Sequence, residues 1–428
     1  MSSGHNAVDH NLLPESTRRP GLSERRVLAA LGMGTALSLL ADSTLYTVLP
    51  DPGIASQVGL SAVLVGVALG LNRLVRLFSN NLAARLLEHL QRRSVLIVAA
   101  LIGVASACLY ALAQGPFWFL FGRVLWGLAW SGIWVGSHAA ILDLAPEGSR
   151  GRLNGAYQAW FFGGAASTAF VGGALVDLIG FRATMWLGSA AMLVTVGIWA
   201  AYLPANPRGP TDRAPDSLAR HSPGPFPWMA TLGASLPYFA VRLAVPGILA
   251  STTIIWLGQL LRPSSPLITF GLPLATLTGA FVAMRTVVSL LGAPASGWLS
   301  DRLQKRWGVI TLSMSCGAGG LWLMGSQSLW IAAAGALLAA VASGAVHSLA
   351  PALIGDHPET AHRNRALGLL FTLGDLGSAI GPSLALGGLA LFSLSTIYEG
   401  AAILFAAVAV VSLRPLLLED RLPAHPLG

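Results

Sequence analysis

The sequence predicts an all-α membrane protein with twelve transmembrane helices in two pseudo-symmetric bundles of six, with both termini in the cytoplasm. Three observations predict this fold. Of the 428 residues, 54% are hydrophobic and only 10% are charged, whereas about 25% are charged in an ordinary soluble domain. The apolar residues form long runs, and the basic residues lie between alternate runs. Short motifs of the first half also recur in the second half at a constant offset.

The apolar runs have the length of membrane-spanning helices. A bilayer core of about 30 Å needs about 20 helical residues at a rise of about 1.5 Å each. Twelve runs of this kind carry few or no charges. They cover residues 27–49, 60–80, 94–113, 117–141, 153–176, 182–203, 236–259, 271–295, 308–326, 329–354, 366–390 and 396–417. Each is predicted to cross the bilayer as a helix.

The basic residues predict the orientation. With the N-terminus inside, 19 of the 26 Lys and Arg residues lie in cytoplasmic segments or at the cytoplasmic end of a run, two lie in outer loops or at the outer end of a run, and five lie deeper within the runs. This asymmetry is the positive-inside pattern of membrane proteins. It explains the net charge of +8 without a nucleic-acid surface. We therefore expect a multi-pass protein of a bacterial inner membrane that contacts lipid and no nucleic acid.

The chain is predicted to divide at a Pro-rich, charged segment that lacks periodicity. This division gives a cytoplasmic tail 1–26, a first bundle 27–203, a linker 204–225, a second bundle 226–418 and a cytoplasmic tail 419–428. At an offset of 213 residues, Leu86, Leu90, Gln91 and Arg93 match Leu299, Leu303, Gln304 and Arg306. Such repeats indicate duplication. Two facing repeats place a solute site near the midplane between them.

Motifs of enzymes and ATP-driven pumps are missing from the sequence. It contains no P-loop, no Cys/His spacing typical of a metal site and no G-x-S-x-G motif. We therefore predict a protein that is not an enzyme and needs no cofactor or metal ion. Its energy would come from an ion gradient or from the gradient of the solute itself.

One charged motif resembles a family signature. The segment GWLSDRLQKR (297–306) resembles the G-x-x-x-D-R-x-x-R/K-R loop of the major facilitator superfamily. The resemblance implies an inner gate in the second bundle formed by Gly297, Asp301, Arg302 and Arg306. In the first bundle the corresponding loop keeps Arg93, but it has Glu88 in place of the Asp and His89 in place of the Arg.

Further motifs resemble the drug and metabolite proton-antiporter branch of that family. ADSTLYTVLP (41–50) looks like its helix 1 element, and Arg123 followed by Gly127 resembles its R-x-x-x-G motif, in which the Arg is implicated in proton coupling. The glycine-rich helix 5 motif is partial, because Thr168 and Ala169 stand where Gly-Pro belongs. The resemblance implies helix-packing roles for Gly155, Gly164, Gly172, Gly173, Gly377 and Gly381.

Two buried aspartates are candidates for proton coupling. A charge at the bilayer centre costs at least about 2.5–3.5 kcal/mol, so each must face a cavity or a partner. Asp42 could exchange a proton as access alternates, and the alternative is an ion pair that only fastens helices. Asp375 lies among glycines, where close packing could tie it to an Arg instead. With Arg123, these residues form the predicted proton-coupling set.

Other buried side chains are candidates for solute binding. Arg73 and Arg285 lie at nearly equivalent repeat positions and would favour an anionic solute, because guanidinium groups bind carboxylate or phosphate bidentately. The alternative is pairing with an aspartate inside each bundle. Tyr46 lies one turn beyond Asp42. Trp130 and Trp134 belong to a stripe on one helix that could line an aromatic pocket or simply pack in the core.

These observations predict secondary active transport by rocking of the two bundles, as a monomer. Proton-coupled export of a small amphipathic or anionic solute is the leading hypothesis. Uptake or exchange of an organic anion is the alternative, and a non-transporting membrane sensor or an intramembrane enzyme belongs to a different class.

Overall fold

The computed structural model describes residues 22–144, 150–204, 226–261, 272–355 and 360–419. Every regular element in these ranges is a helix, and the predicted all-α membrane fold is confirmed. Almost all of the predicted tails and linker lies outside the described residues, so those boundaries stay predictions.

A helix lies at each of the twelve predicted positions. The helices are α1 Leu22–Val48, α2 Ala62–His89, α3 Arg92–Leu112, α4 Pro116–Leu144, α5 Arg150–Ile179, α6 Phe181–Tyr202, α7 Trp228–Leu260, α8 Leu274–Leu303, α9 Arg306–Leu323, α10 Leu329–Gly355, α11 Thr360–Gly388 and α12 Leu394–Glu419. By length and composition, eleven of them could cross a membrane. The exception is α9, which is rich in glycine and serine. The count of twelve spans and the cytoplasmic side of the termini stay predictions.

Helix α7 begins earlier than its predicted span and contains an irregular turn. It begins at Trp228 rather than at residue 236, because Pro237, which usually marks a helix boundary, lies inside the helix. Its middle turn, Ala244–Leu249, is a π-helix around Pro246. A proline removes one backbone hydrogen bond, and a wider turn accommodates that loss. The sequence analysis did not predict this turn.

Helices α2 and α8 extend beyond their predicted spans. They continue to His89 and Leu303, because a helix can extend past the hydrocarbon core where charged side chains reach water. The predicted gate loop was therefore placed wrongly in part. Asp301 and Arg302 lie in the last turn of α8 rather than in a loop.

The two halves repeat the same helix packing. In the first half, α1 packs on α5 and α6, α2 packs on α4, and α3 packs on α4 and α6. In the second half, α7 packs on α11 and α12, α8 packs on α10, and α9 packs on α10 and α12. Each half has its own buried apolar core. The packing supports the duplication inferred from the sequence.

Two helix pairs make most of the contact between the halves, α2 with α11 and α5 with α8. Both pairs pack backbone against backbone. A Cβ atom on Gly66 would lie 2.8 Å from Cα of Ser383, and one on Gly279 would lie 3.0 Å from Cα of Phe170. At the end of α5, the carboxylate of Asp177 accepts hydrogen bonds of 2.6 Å from both the backbone N–H and the hydroxyl of Thr276. These contacts lie at the predicted outer side.

Towards the predicted cytoplasmic side the halves separate. On the face of α2 that meets α11, Gly66 and Gly70 are buried, whereas Ala84 is exposed. On the facing side of α11, Ala379 is buried, whereas Gly368 is exposed. These positions share one helical face, so the change in exposure marks a gap between the halves. In the predicted orientation, the gap opens to the cytoplasm.

Gly70→Leu is expected to prevent outer closure. A Cβ on Gly70 collides with the backbone carbonyl of Ala379, and overpacking of this kind costs about 1–3 kcal/mol. We expect a longer distance between spin labels at the outer ends of α2 and α11, and transport reduced about tenfold or more. Gly155→Leu is the control, because no described atom lies within 4 Å of a Cβ there. Equal label distances in the two variants would contradict this account.

Candidate functional site

Asp42 and Arg123 form a buried ion pair between α1 and α4. Nη1 of Arg123 lies 2.6 Å from Oδ1 of Asp42. The Arg123 side chain is fully buried, and its Nε donates a hydrogen bond of 2.7 Å to the carbonyl of Ala68 on α2. Its Nη2 has no hydrogen-bond partner within the described part of the chain. The pair therefore links three helices, and Asp42 supplies the negative charge that Arg123 requires at this depth.

Two tyrosines complete the surroundings of Arg123. The guanidinium carbon lies 5.8 Å from the ring centre of Tyr46 and 5.9 Å from that of Tyr110. The hydroxyl of Tyr110 also accepts a hydrogen bond of 3.4 Å from Nη1. Aromatic faces attract a cation at this range. Tyr46 was predicted to contact solute, whereas Tyr110 was missed because a single tyrosine in an apolar span carries no motif.

Asp375 is shared by two arginines. Its Oδ2 lies 3.1 Å from Nη2 of Arg76, and its Oδ1 lies 2.8 Å from Nη2 of Arg242. Arg76 belongs to the first half, whereas Arg242 and Asp375 belong to the second. Pairing of Asp375 with an Arg was one of the alternatives expected from the sequence, but partners from both halves were not predicted. The carboxylate thus connects the halves at about mid-membrane depth.

Arg73 lies beside Asp375 and its two arginine partners. Its Nη1 donates a hydrogen bond of 3.1 Å to the carbonyl of Ser378, and a longer one of 3.5 Å to that of Pro246 in the π-helix. Its guanidinium carbon lies 5.1 Å from the ring centre of Tyr46. Arg73 therefore lies between the Asp42–Arg123 pair and the shared aspartate. We call Arg73, Arg76, Arg242 and Asp375 the central charge cluster.

The central charge cluster lies where the contact between the halves ends. The side chains of Arg76, Asp375 and Arg242 are 15%, 11% and 19% exposed, whereas that of Arg123 is 0% exposed. On the predicted cytoplasmic side of the cluster, the facing surfaces of α2 and α11 are exposed. A solute that enters the gap can therefore reach the cluster but not Arg123.

Arg285 is buried in the second half, and no counterion lies beside it among the described residues. It lies near Tyr398, whose hydroxyl forms a hydrogen bond of 2.8 Å with that of Thr252. Its Nη1 has no partner, and no carboxylate pairs with it among the described residues. No described contact joins it to Arg73, so the expectation that these two arginines bind an anionic solute stays a prediction.

The tryptophan stripe of α4 is packed against α5. Successive ring centres of Trp126, Trp130 and Trp134 are 5.7 Å apart, and Phe161 lies 5.0 Å from Trp134. Trp126 and Trp130 are buried. The packing alternative therefore accounts for these contacts, and a solute role for Trp130 and Trp134 stays a prediction.

The predicted gate residues of the second bundle lie at the junction of α8 and α9. Asp301 and Arg302 are exposed, and the guanidinium carbon of Arg302 lies 5.3 Å from the ring centre of Trp298. Gln304 adopts a left-handed backbone with φ of 53° that ends α8. Arg306 begins α9. Gly297 packs loosely, since a Cβ there would lie 3.7 Å from Oγ of Ser348.

The corresponding residues of the first bundle lie apart from these. Glu88 is exposed near the end of α2, and Arg93 donates a hydrogen bond to the carbonyl of Ala200 on α6. Neither Glu88 nor Asp301 forms an ion pair with another described residue. The gate function of both sets stays a prediction.

Five of the six predicted packing glycines lie at close helix contacts. The atoms that a Cβ would meet are Cβ of Ala36 for Gly164, Oγ1 of Thr44 for Gly172, the carbonyl of Ala275 for Gly173, the carbonyl of Phe239 for Gly377 and Cα of Gly247 for Gly381. Gly155 has no described atom nearby. The close pairs explain why these helices tolerate no side chain there.

Comparison with known proteins identifies a family that covers almost the whole chain. The family model described as Major Facilitator Superfamily matches residues 31–285 and 248–427. The protein "D-xylose-proton symporter-like 2" of Arabidopsis thaliana is 28% identical over 184 residues, which are 42% of this chain and 36% of that protein. The match therefore spans about a third of that relative's length.

Two solved structures share the fold. Both are of a bacterial homologue of the human lysosomal transporter Spinster in inward-facing conformations. The unoccupied form has a TM-score of 0.70 at 18% identity, covering 95% of this chain and 100% of that chain. The occupied form has a TM-score of 0.68 at 18% identity, covering 94% and 98%. At this identity the likeness shows the fold alone.

Proposed function

Since the chain belongs to the major facilitator superfamily and is a membrane transporter of the alternating-access kind, we propose that it exports a small amphipathic or anionic solute in exchange for protons. The observation that carries this proposal is the buried pair of Asp42 and Arg123. Asp42 keeps partial exposure, whereas Arg123 has none. A proton can therefore reach the carboxylate of Asp42 while the guanidinium group of Arg123 stays enclosed.

Protonation of Asp42 would change the balance between the two conformations. It removes the carboxylate that pairs with Arg123, and an uncompensated charge in a buried pair destabilises a protein by about 3–5 kcal/mol. Two conformations of one protein differ by only a few kcal/mol. The Ala68 carbonyl on α2 and Tyr110 on α3 hold Arg123 in place, and α1 would keep only the ring of Tyr46 as a contact with it, so the loss acts mainly on how α1 packs. Proton binding at Asp42 would then drive the change of access.

The charges within the spans favour an anionic solute. Away from the ends of the spans there are five arginines, namely Arg73, Arg76, Arg123, Arg242 and Arg285, against the two aspartates Asp42 and Asp375. Each uncompensated charge is unfavourable at this depth. A bound anion would supply part of the missing negative charge.

Uptake or exchange of an organic anion is the second candidate function. The arginine excess favours it equally, and the Arabidopsis relative is described as symporter-like. The direction of coupling separates the two candidates. For both candidate functions we propose a monomer in a bacterial inner membrane. The positive-inside pattern supports the orientation with both termini in the cytoplasm.

Transport by the purified protein in proteoliposomes tests the proposal. Benzenesulfonate, inorganic phosphate, xylose and tetraphenylphosphonium serve as solutes, with the membrane potential clamped. Antiport predicts that an acidic lumen drives accumulation of an anion, because protons leaving the vesicle move solute inwards. Accumulation driven by an acidic exterior would instead establish symport and overturn export. Protein-free liposomes are the control.

A further inference from the structure

We propose that the anionic group of the solute binds between Arg76 and Arg242 and displaces the carboxylate of Asp375. Asp375 is then a built-in competitor that holds the site while no solute is bound. This inference rests on the proposed function only for the class of solute, an anion. It does not depend on protons as the coupling ion or on the direction of transport.

The hydrogen bonding of the two arginines leaves capacity for a second anion. Each guanidinium contacts Asp375 through Nη2 alone. Nε of Arg76 and Nε of Arg242 are buried without a partner in the part of the chain that the structure describes. A guanidinium group binds carboxylate, sulfonate or phosphate best through two parallel N–H groups. The carboxylate of Asp375 therefore occupies only one of the two parallel N–H groups through which each guanidinium could bind an anion.

The net positive charge of the cluster also favours binding of an anion. The cluster has three arginines and one carboxylate. Arg76 and Arg242 pair with Asp375, whereas the hydrogen bonds of Arg73 go to neutral carbonyl groups. A single Asp375 cannot neutralise three guanidinium groups. An incoming anion can take its place between two of them without leaving either arginine unpaired.

The position of the cluster makes it accessible and links it to bundle movement. Its side chains keep partial exposure at the end of the contact between α2 and α11. Arg76 comes from the first half, and Arg242 comes from the second. The pair of Arg76 with Asp375 is therefore a bond between the halves, which the solute would replace with a bridge of its own.

Equilibrium binding to the purified full chain in detergent, at one pH and without a gradient, tests the inference. Radiolabelled benzenesulfonate and inorganic phosphate are the probes, and they separate sulfonate-like from phosphate solutes. Asp375→Asn is expected to tighten binding of at least one probe about tenfold, because it removes a charged competitor. Arg76→Gln and Arg242→Gln are expected to weaken binding about tenfold. Glu399→Gln, which removes a negative charge near the outer surface, should leave affinity unchanged.

Several outcomes would overturn the inference. Weaker or unchanged binding in Asp375→Asn contradicts competition. If that variant does not fold, Arg76→Lys decides, since it keeps the charge but loses the fork. Unchanged affinity in Arg76→Lys overturns the inference. If neither anion binds to the wild-type protein, the anion site fails, while proton antiport of another solute remains testable in proteoliposomes.

Discussion

Asp42→Asn is expected to abolish pH-driven solute accumulation while solute binding and solute exchange persist. Asn keeps the shape of the side chain but cannot alternate between a charged and a neutral state. Arg123 then has no charged partner among the described residues, although the Ala68 carbonyl and Tyr110 still accept its hydrogen bonds. The expected loss is tenfold or more, because a coupling energy of about 1.4 kcal/mol already corresponds to tenfold. Flux under an imposed pH gradient is the measurement.

A control and a second variant make this result specific. Asp51 caps the short helix Pro52–Gln57 beyond α1, and Asp51→Asn preserves capping, so accumulation should not change. The double variant Asp42→Asn/Arg123→Gln removes both charges, which avoids an unpaired arginine if Asp42→Asn alone is unstable. Accumulation driven by pH in either Asp42 variant would contradict the role of Asp42, and Asp375 would become the next candidate.

Arg285→Met is expected to stabilise the protein and to reduce anion transport. The buried guanidinium has no counterion among the described residues, and a charge at this depth costs at least about 2.5–3.5 kcal/mol. A methionine of similar length removes that cost and fills the space. The thermal midpoint should therefore rise, whereas transport of the preferred anion should fall about tenfold or more if Arg285 binds solute.

Arg242→Met is the matched comparison for this stability effect. It deprives Asp375 of one of its two arginines, so its thermal midpoint should fall. Arg285→Lys keeps the charge but loses the planar fork, so its anion affinity should lie between those of wild type and Arg285→Gln. If Arg285→Met lowers the thermal midpoint and leaves affinity unchanged, Arg285 fastens helices instead.

Composition and periodicity predicted the fold well, because the bilayer requires long apolar helices wherever the chain crosses it. Helix ends were predicted less well. Pro237 has the local signature of a boundary, yet tertiary packing keeps it inside α7. The π-helix at Pro246 depends on the same packing. The charged ends of α2 and α8 lack the apolar pattern that defined the spans.

The residues of the candidate site could be predicted in part from the sequence, but the pairing between them could not. Burial cost alone identified Asp42, Arg123 and Asp375 as groups that need partners. Which charges pair depends on how distant helices pack, and Asp375 finds Arg76 in the other half of the chain. Tyr110 could be assigned to the site only from the structure, in which α3 packs against α4. Arg73 and Arg285 lie at nearly equivalent repeat positions, but their contacts differ because α2 meets α11 whereas Arg285 lies near Tyr398 on α12.

Proton movement driven by solute tests the central claim most directly. Proteoliposomes are loaded with the anion that binds most tightly and with a pH-sensitive dye, then diluted into solute-free buffer of the same pH. Coupling is reciprocal, so antiport predicts that solute leaving the vesicles acidifies the lumen in wild type and not in Asp42→Asn. An unchanged luminal pH during solute efflux, or a luminal pH that rises, would contradict proton antiport by this protein.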